Sequence, residues 1–425
     1  MCMAHSPRFR ILLRGVLACA SVSAFAACAP GSSDLANAST SLDLGAPTEL
    51  ASPTPGGGNT PYLEVTPDDR LFLSWTQRAA DSSVSIQMAE WRDSAWDSTR
   101  TIAAQRDFFV NWADFPVMTA LGNGDLAAHW LEREANGKYS YGVRVVRSKD
   151  SGRTWSAPVT PHTDGLAAEH GFVSMWAEGA DRIGLVWLDG RKSAMPDSAR
   201  EMTVRTAAIA PDGSLERETL VDARTCDCCQ TGTAGARSGR VIAYRDRTAE
   251  EIRDIVVVRQ TASGWTEPQK VHNDDWHYPG CPVNGPQVAA TGDTVVVAWY
   301  TAAHDTARVY VARSVDGGAT FAAPVRVDDG DPIGRVDVLL DDQTRPVVVW
   351  LEQRSPEKSE VLVRRVGLDG ALGVPQVIAS TSGARQSGFP RIARHGDALI
   401  AAYTTVTPSI AVRVARVPLS PTSKP

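Results

Sequence analysis

Seven times along the 425-residue chain an aromatic residue closes a short apolar run, at Trp75, Trp130, Trp187, Tyr244, Trp299, Trp350 and Tyr403, with intervals of 55, 57, 57, 55, 51 and 53 residues. A fixed period of this size marks units that bury their faces only against their neighbours. Within each interval the segments keep one order: a stretch such as GPQVAATGD or GFPRIARHGD, a run such as TVVVAW, an alternating run such as RVYVARS or EVLVRRV, and a short piece such as APVRVD or VPQVIA. Alternation of β-branched and polar residues between Gly and Asp turns describes four antiparallel strands per unit. Four strands repeated radially make a β-propeller. The last unit, Gly388 to Leu419, has only three such segments, and the missing one matches GAPTELAS, Gly45 to Ser52. The sequence therefore predicts an all-β chain whose residues 44–425 form a single seven-bladed propeller, closed by its N-terminal strand and free of open edges. A six-bladed ring is the alternative, should one unit be an irregular insertion.

Residues 1–27 read as a secretory signal: Arg8, Arg10 and Arg14 precede a 13-residue stretch, Gly15 to Ala27, of mostly small or apolar residues, too short to span a membrane. FAAC, ending at Cys28, resembles the lipobox of bacterial lipoproteins, which implies lipidation of Cys28; VLAC at Cys19 and an ordinary secreted signal are the alternatives. Residues 28–43 read as a lipidated cysteine and a polar, flexible tether. These features predict a bacterial cell-envelope protein, in periplasm or outer membrane, that meets the membrane only through its lipid. Removing residues 1–27 deletes three arginines and no acid, which takes the net charge from −6 to −9. So acidic a surface argues against nucleic acid or anionic lipid as partner.

Two turns share a signature. SKDSGRTW, Ser148 to Trp155, and SVDGGATF, Ser314 to Phe321, both fit S-x-D-x-G-x-T-[WF]. Asp150 and Asp316 suit acceptance of backbone N–H groups in a tight hairpin, Gly152 and Gly318 supply the unusual dihedral, and Trp155 and Phe321 pack between sheets. The pattern is that of the Asp box, and over nearly its whole mature length the chain resembles the sialidase-like (BNR/Asp-box) superfamily. In sialidases the box lies on the face away from the active site, so it speaks for the fold, and the six-bladed alternative would be the sialidase type.

What that resemblance implies about activity transfers poorly. Sialidases hold a substrate carboxylate with three arginines, the first in an F-R-I-P motif near the start, and use a Tyr/Glu pair plus an aspartic acid. The nearest string here is FPRIAR, Phe389 to Arg394, in the last unit and with Pro and Arg exchanged. Arg335 and Arg391 begin innermost strands and Arg245 follows a second strand, which allows an arginine cluster near the channel. Pairing of these arginines with acids such as Asp246 and Asp337 is the alternative.

A second concentration lies where the fourth and fifth units begin. RTCDCCQTG places Cys226, Cys228 and Cys229 before an innermost strand, and HNDDWHYPGCPVNGP places Cys281 at the corresponding point of the next unit. Loops that join one blade to the next share one face, so the four cysteines are expected to be neighbours. Two disulfides in an oxidising compartment, a soft-ion site for Cu or Zn with His170 or His277 as a further ligand, and a mixed or redox-active arrangement all remain open. Adjacent Cys228 and Cys229 cannot pair without strain.

The same face receives two charged loops, YRDRTAEEIRD with Arg245, Asp246, Arg253 and Asp254, and WLDGRKSAMPDSARE with Asp189 and Arg191. These read either as a solvated salt-bridge network or as recognition of a carboxylated or polyhydroxylated ligand. With Asn284, Gln230, Trp276, Tyr278 and Trp112 they would build a polar pocket with aromatic walls, as sugar binding requires; Trp112 and Trp276 serve equally well as structural plugs. The strings CDCCQT, YRDR with EIRD, and GCPVNGP resemble a subgroup of bacterial proteins of sialidase-like type, which implies that these segments act as one site.

The function expected from these residues is glycan binding or glycoside hydrolysis at the channel mouth, with Asp189, Asp246 and Asp254 as candidate carboxyl groups. The alternatives are a non-catalytic envelope protein whose cysteines bind Cu or Zn or form disulfides, and a scaffold that binds protein partners on the flat face.

Overall fold

In a computed structural model the described residues are 41–54, 56–134, 137–195 and 201–420. Cys19, Cys28 and nearly all of the expected tether lie outside them. The compact unit begins at Leu42, two residues before the expected start of the ring.

Seven antiparallel sheets follow one another in chain order. Blade 3 shows the plan: His170–Glu178 innermost, then Arg182–Asp189, Met202–Ile209 and Leu215–Thr225 outward. In blade 2 an isolated Val145–Val159 bridge takes the place of an outer strand. The seventh blade comprises Arg391–His395, Ala398–Thr405 and Ala411–Pro418, and its outer position is filled by Thr48–Leu50, paired so that Thr48 faces Arg416 and Leu50 faces Val414. Gly45 N–H donates to the Pro418 carbonyl at 2.8 Å, and the buried guanidinium of Arg365 in blade 6 bonds the carbonyls of both Asp43 and Leu419. The ring is thus fastened by residues from both ends of the described chain, and it has seven blades.

The aromatic period has a packing cause. All seven residues stand on second strands and are buried, and each belongs to an apolar cluster shared with a neighbouring blade. Trp130 packs with Phe72 and Met88 of blade 1, Trp299 with Val241 and Val257 of blade 4, Trp350 with Val296 and Val311 of blade 5, Tyr403 with Val349 and Val363 of blade 6, and Trp75 with Ile400 and Val414 of blade 7. Trp187 and Tyr244 share the cluster of blades 2 to 4. Each unit therefore needs the one before it in the ring to bury its largest side chain, at about 1.5–3 kcal/mol for each large apolar group removed from water.

The two rims differ. Each second strand ends where its own innermost strand begins: His170 pairs with Asp189. At the opposite rim lie the S-x-D-x-G-x-T turns, where Asp150 and Asp316 accept the N–H and hydroxyl of Thr154 and Thr320, and Gly317 N–H bonds Asp293 in a first-to-second-strand turn. Gly152 and Gly318 adopt φ of 82° and 85°, which L side chains disfavour. Trp155 packs against the cluster between blades 1 and 2, and Phe321 against that between blades 4 and 5.

Candidate functional site

At the axis, a polar side chain on an innermost strand or in the loop just before it bonds the backbone of the neighbouring blade. Glu64 accepts Ala120 N–H, Asp114 accepts Phe172, Gln230 accepts Gly285, Asn284 accepts Arg335 and Asp337 accepts Ile392. Phe172 and Arg335 are bulged residues with φ of 53°, whose N–H groups leave the ladder and would otherwise be buried unpaired. Gln230 and Asn284, expected to bind ligand, also act as latches between blades: Gln230 donates to Ala113 O, and Asn284 to Ile333 O.

A second device repeats along the second strands. The indole N–H of the periodic tryptophan donates to the side chain two residues on, from Trp75 to Gln77, Trp130 to Glu132, Trp187 to Asp189 and Trp350 to Glu352. Asp189 is the blade-3 copy of this acceptor. It is fully buried, Arg191 binds it through two nitrogens, and although burial alone would raise its pKa, Arg191 and His170 hold it low. Asp246 is the blade-4 copy, but Tyr244 sends its hydroxyl to Asp222 instead, and burial pushes Asp246 up to about 6. Asp254 is buried against Lys270 and accepts Trp276 N–H. Of the three candidate acids, Asp189 and Asp254 are buried acceptors of hydrogen bonds within the fold.

The arginines are likewise employed. Arg245 does not pair with Asp246; its guanidinium donates to the carbonyls of Asn284, Arg253 and Tyr300 and lies 4.8 Å from the Trp276 ring centre. Arg335 donates to Gly383, Ala384 and Gly388 and covers Trp112 at 4.7 Å. Both fasten loops, and the Trp276 and Trp112 rings lie beneath their guanidinium groups. Arg191 is buried among Asp189, Asp164 and Glu218. Arg391 does reach the axis, paired with Asp337 at 3.3 Å and lying over Tyr62. Tyr278 is exposed and stacks on Trp276.

The four cysteines meet. Cys228 and Cys281 form a disulfide, and Cys226 and Cys229 are buried free thiols. The sulfurs of Cys226, Cys228 and Cys229 lie within 4.8 Å of one another. Neither expected histidine joins them: His277 is exposed, and His170 stacks on His162 at 3.7 Å with both rings against Asp164.

One group escaped the sequence reading. Tyr141, first residue of a blade-2 strand, places its hydroxyl 2.7 Å from Glu169 Oε1 and 3.1 Å from Asp114 Oδ2. Gly171 permits this approach, because a Cβ there would meet Asp114 Oδ2 at 2.0 Å. Burial pushes Asp114 up to about 8 and Glu169 up to about 7, each raised further by a neighbouring carboxylate. A phenol donates one proton, so both contacts are hydrogen bonds only when one carboxyl is protonated. Asp114 also lines an axial cavity of about 190 Å³ together with Tyr62, Gln230, Gln287, Asp337 and Arg391. A tyrosine opening a strand and an acid in a polar loop are unremarkable in sequence; only blade stacking brings them together.

No family model matches the chain, and comparison with curated proteins finds no relative. Among solved structures, a protein of unknown function from Dyadobacter fermentans is similar at TM-score 0.50 and 13% identity, covering 88% of this chain and 98% of that one. An α-L-arabinanase from Penicillium chrysogenum complexed with arabinobiose follows at TM-score 0.48 and 11% identity, with 89% and 97% covered. The NanB sialidase of Streptococcus pneumoniae gives 0.44 and 12%, with 87% and 70% covered. At such identities the likeness concerns the propeller alone.

Proposed function

We propose that the chain is a glycoside hydrolase or glycan-binding propeller whose chemistry lies at the axial mouth between blades 2 and 3, and not at the fourth and fifth blades. The observation that carries this reading is the Tyr141 hydroxyl set between two carboxyl groups that titrate near neutrality. Groups poised at about pH 7 suit general acid–base work. Asp114, on the cavity, donates a proton to the leaving glycosidic oxygen; Tyr141 passes a replacement from Glu169 at the half-exposed rim. Asp337, its charge balanced by Arg391, is the opposed carboxyl group that hydrolysis requires. The cavity is smaller than the roughly 300–1,000 Å³ of drug-sized pockets, which favours a single sugar ring.

A fluorogenic panel of furanosides, pyranosides and sialosides tests it. Turnover that falls about 10²–10⁴-fold in Asp114→Asn and Glu169→Gln, with Asp246→Asn close to wild type, supports the assignment. Neither turnover nor binding across a broad glycan panel overturns it. By the same reading the protein is tethered to the bacterial cell envelope by a lipid on Cys28, checked by loss of fatty-acid labelling in Cys28→Ser.

A further inference from the structure

The cysteine cluster takes no part in that chemistry, and its surroundings are those of an anion. Four sulfurs from two loops are gathered, with no histidine or carboxylate in the group. Arg245 and Arg253 lie within electrostatic reach of Cys229. Arg253 is 2% exposed, and its Nε and Nη1 have no hydrogen-bond partner. Buried guanidinium N–H groups left unpaired are costly, and neutral thiols beside a disulfide offer them little.

We propose that, when reduced, this cluster binds one thiophilic closed-shell ion, Cu(I) or Zn(II). Zn(II) with four thiolates, or Cu(I) with three, carries two negative charges, which the nearby guanidinium groups of Arg245 and of Arg253 offset, the latter while also paired with Glu251 at 2.7 Å. A donor set of sulfur alone selects soft ions over Mg(II), Ca(II) or Mn(II). Redox state controls occupancy. An external dithiol reduces the Cys228–Cys281 bond, becoming a disulfide itself and leaving two thiols; the ion then displaces the thiol protons. Reoxidation withdraws two of the four donors. Cys281 lies exposed while Cys226 and Cys229 are buried, so the reductant meets the outer edge and the ion the inner one.

The test loads the full chain with Zn(II), or separately with Cu(I), after reduction by a phosphine, removes excess ion, and measures metal by mass spectrometry. About one equivalent is expected in the reduced wild type, and about tenfold less in the oxidised protein and in Cys226→Ser and Cys229→Ser. The ion retained through the wash distinguishes copper from zinc. Failure of reduced wild type to retain either ion, or retention unchanged in both serine variants, overturns the proposal. Should a variant fail to fold, X-ray absorption of the loaded wild type decides: sulfur alone around the metal supports the site, and nitrogen or oxygen neighbours refute it.

Discussion

Trp187 donates its indole N–H to Asp189 at 2.8 Å, two residues further along the same strand, and Asp189 in turn carries the Arg191 guanidinium. Removing the carboxylate strands the indole N–H and takes from Arg191 one of three acidic partners, Asp164 and Glu218 remaining. We expect Asp189→Ala to lower unfolding free energy by about 1–3 kcal/mol, read as a shifted urea midpoint at unchanged slope. Glu352→Gln, which keeps an acceptor for Trp350 in blade 6, should cost only about 1 kcal/mol. Lost turnover with an unmoved midpoint in Asp189→Ala would instead make Asp189 catalytic.

Arg335 separates an anchor from a ligand-binding residue. Lysine keeps its charge but cannot reach three carbonyls from one planar group or cover Trp112 as the guanidinium does. Arg335→Lys is expected to lose about 2–3 kcal/mol of stability while glycan affinity at the axis, measured by calorimetry, stays within about twofold.

Stability should depend on pH in a direction set by the buried acids. Asp114 and Glu169 are raised by burial, to about 8 and about 7. Their contribution is complete below the ordinary carboxylate range and is lost as pH rises through their folded values. Asp164 and Asp189 are held low: burial opposes this, but His162 and His170 outweigh it at Asp164, and Arg191 and His170 at Asp189, so their contribution fades only in acid. The melting temperature is therefore expected to fall between about pH 4 and pH 8, where the unfolded chain has released these protons and the folded one still holds them. Asp114→Asn should flatten that slope. An unchanged slope would mean that Asp114 ionises normally.

Closure is testable by truncation. A chain starting after Ser52 lacks Thr48–Leu50 and leaves the edge of Ala411–Pro418 unpaired. We expect association or aggregation in light scattering, as exposed edges promote. A truncated chain that remains monomeric with an unaltered melting temperature would show the strand to be dispensable.

The aromatic period made blade number and closure legible because packing between blades demands one large side chain per unit, at one place. The gathering of Cys226, Cys228, Cys229 and Cys281 was legible for the same reason, since loops on one rim converge. Roles were harder to read. Asp189 looked like a loop charge, although the recurrence of Trp followed two residues later by Gln77, Glu132, Asp189 or Glu352 was there to be noticed. Arg245 and Arg335 read as a ligand-binding cluster or as partners of acids, because carbonyl partners leave no trace in residue types. Tyr141, Asp114 and Glu169 carried no local signal; their meeting depends on two blades and on the missing side chain of Gly171.

Because Thr48–Leu50 waits for Ala411–Pro418, the earliest part of the ring to be synthesised is among the last to find its partner. A ribosome must release more than three hundred intervening residues before the circle can be completed. Until then the nascent molecule is an open arc, with one blade a strand short and its terminal faces unmatched, and proteases and chaperones meet it in that state.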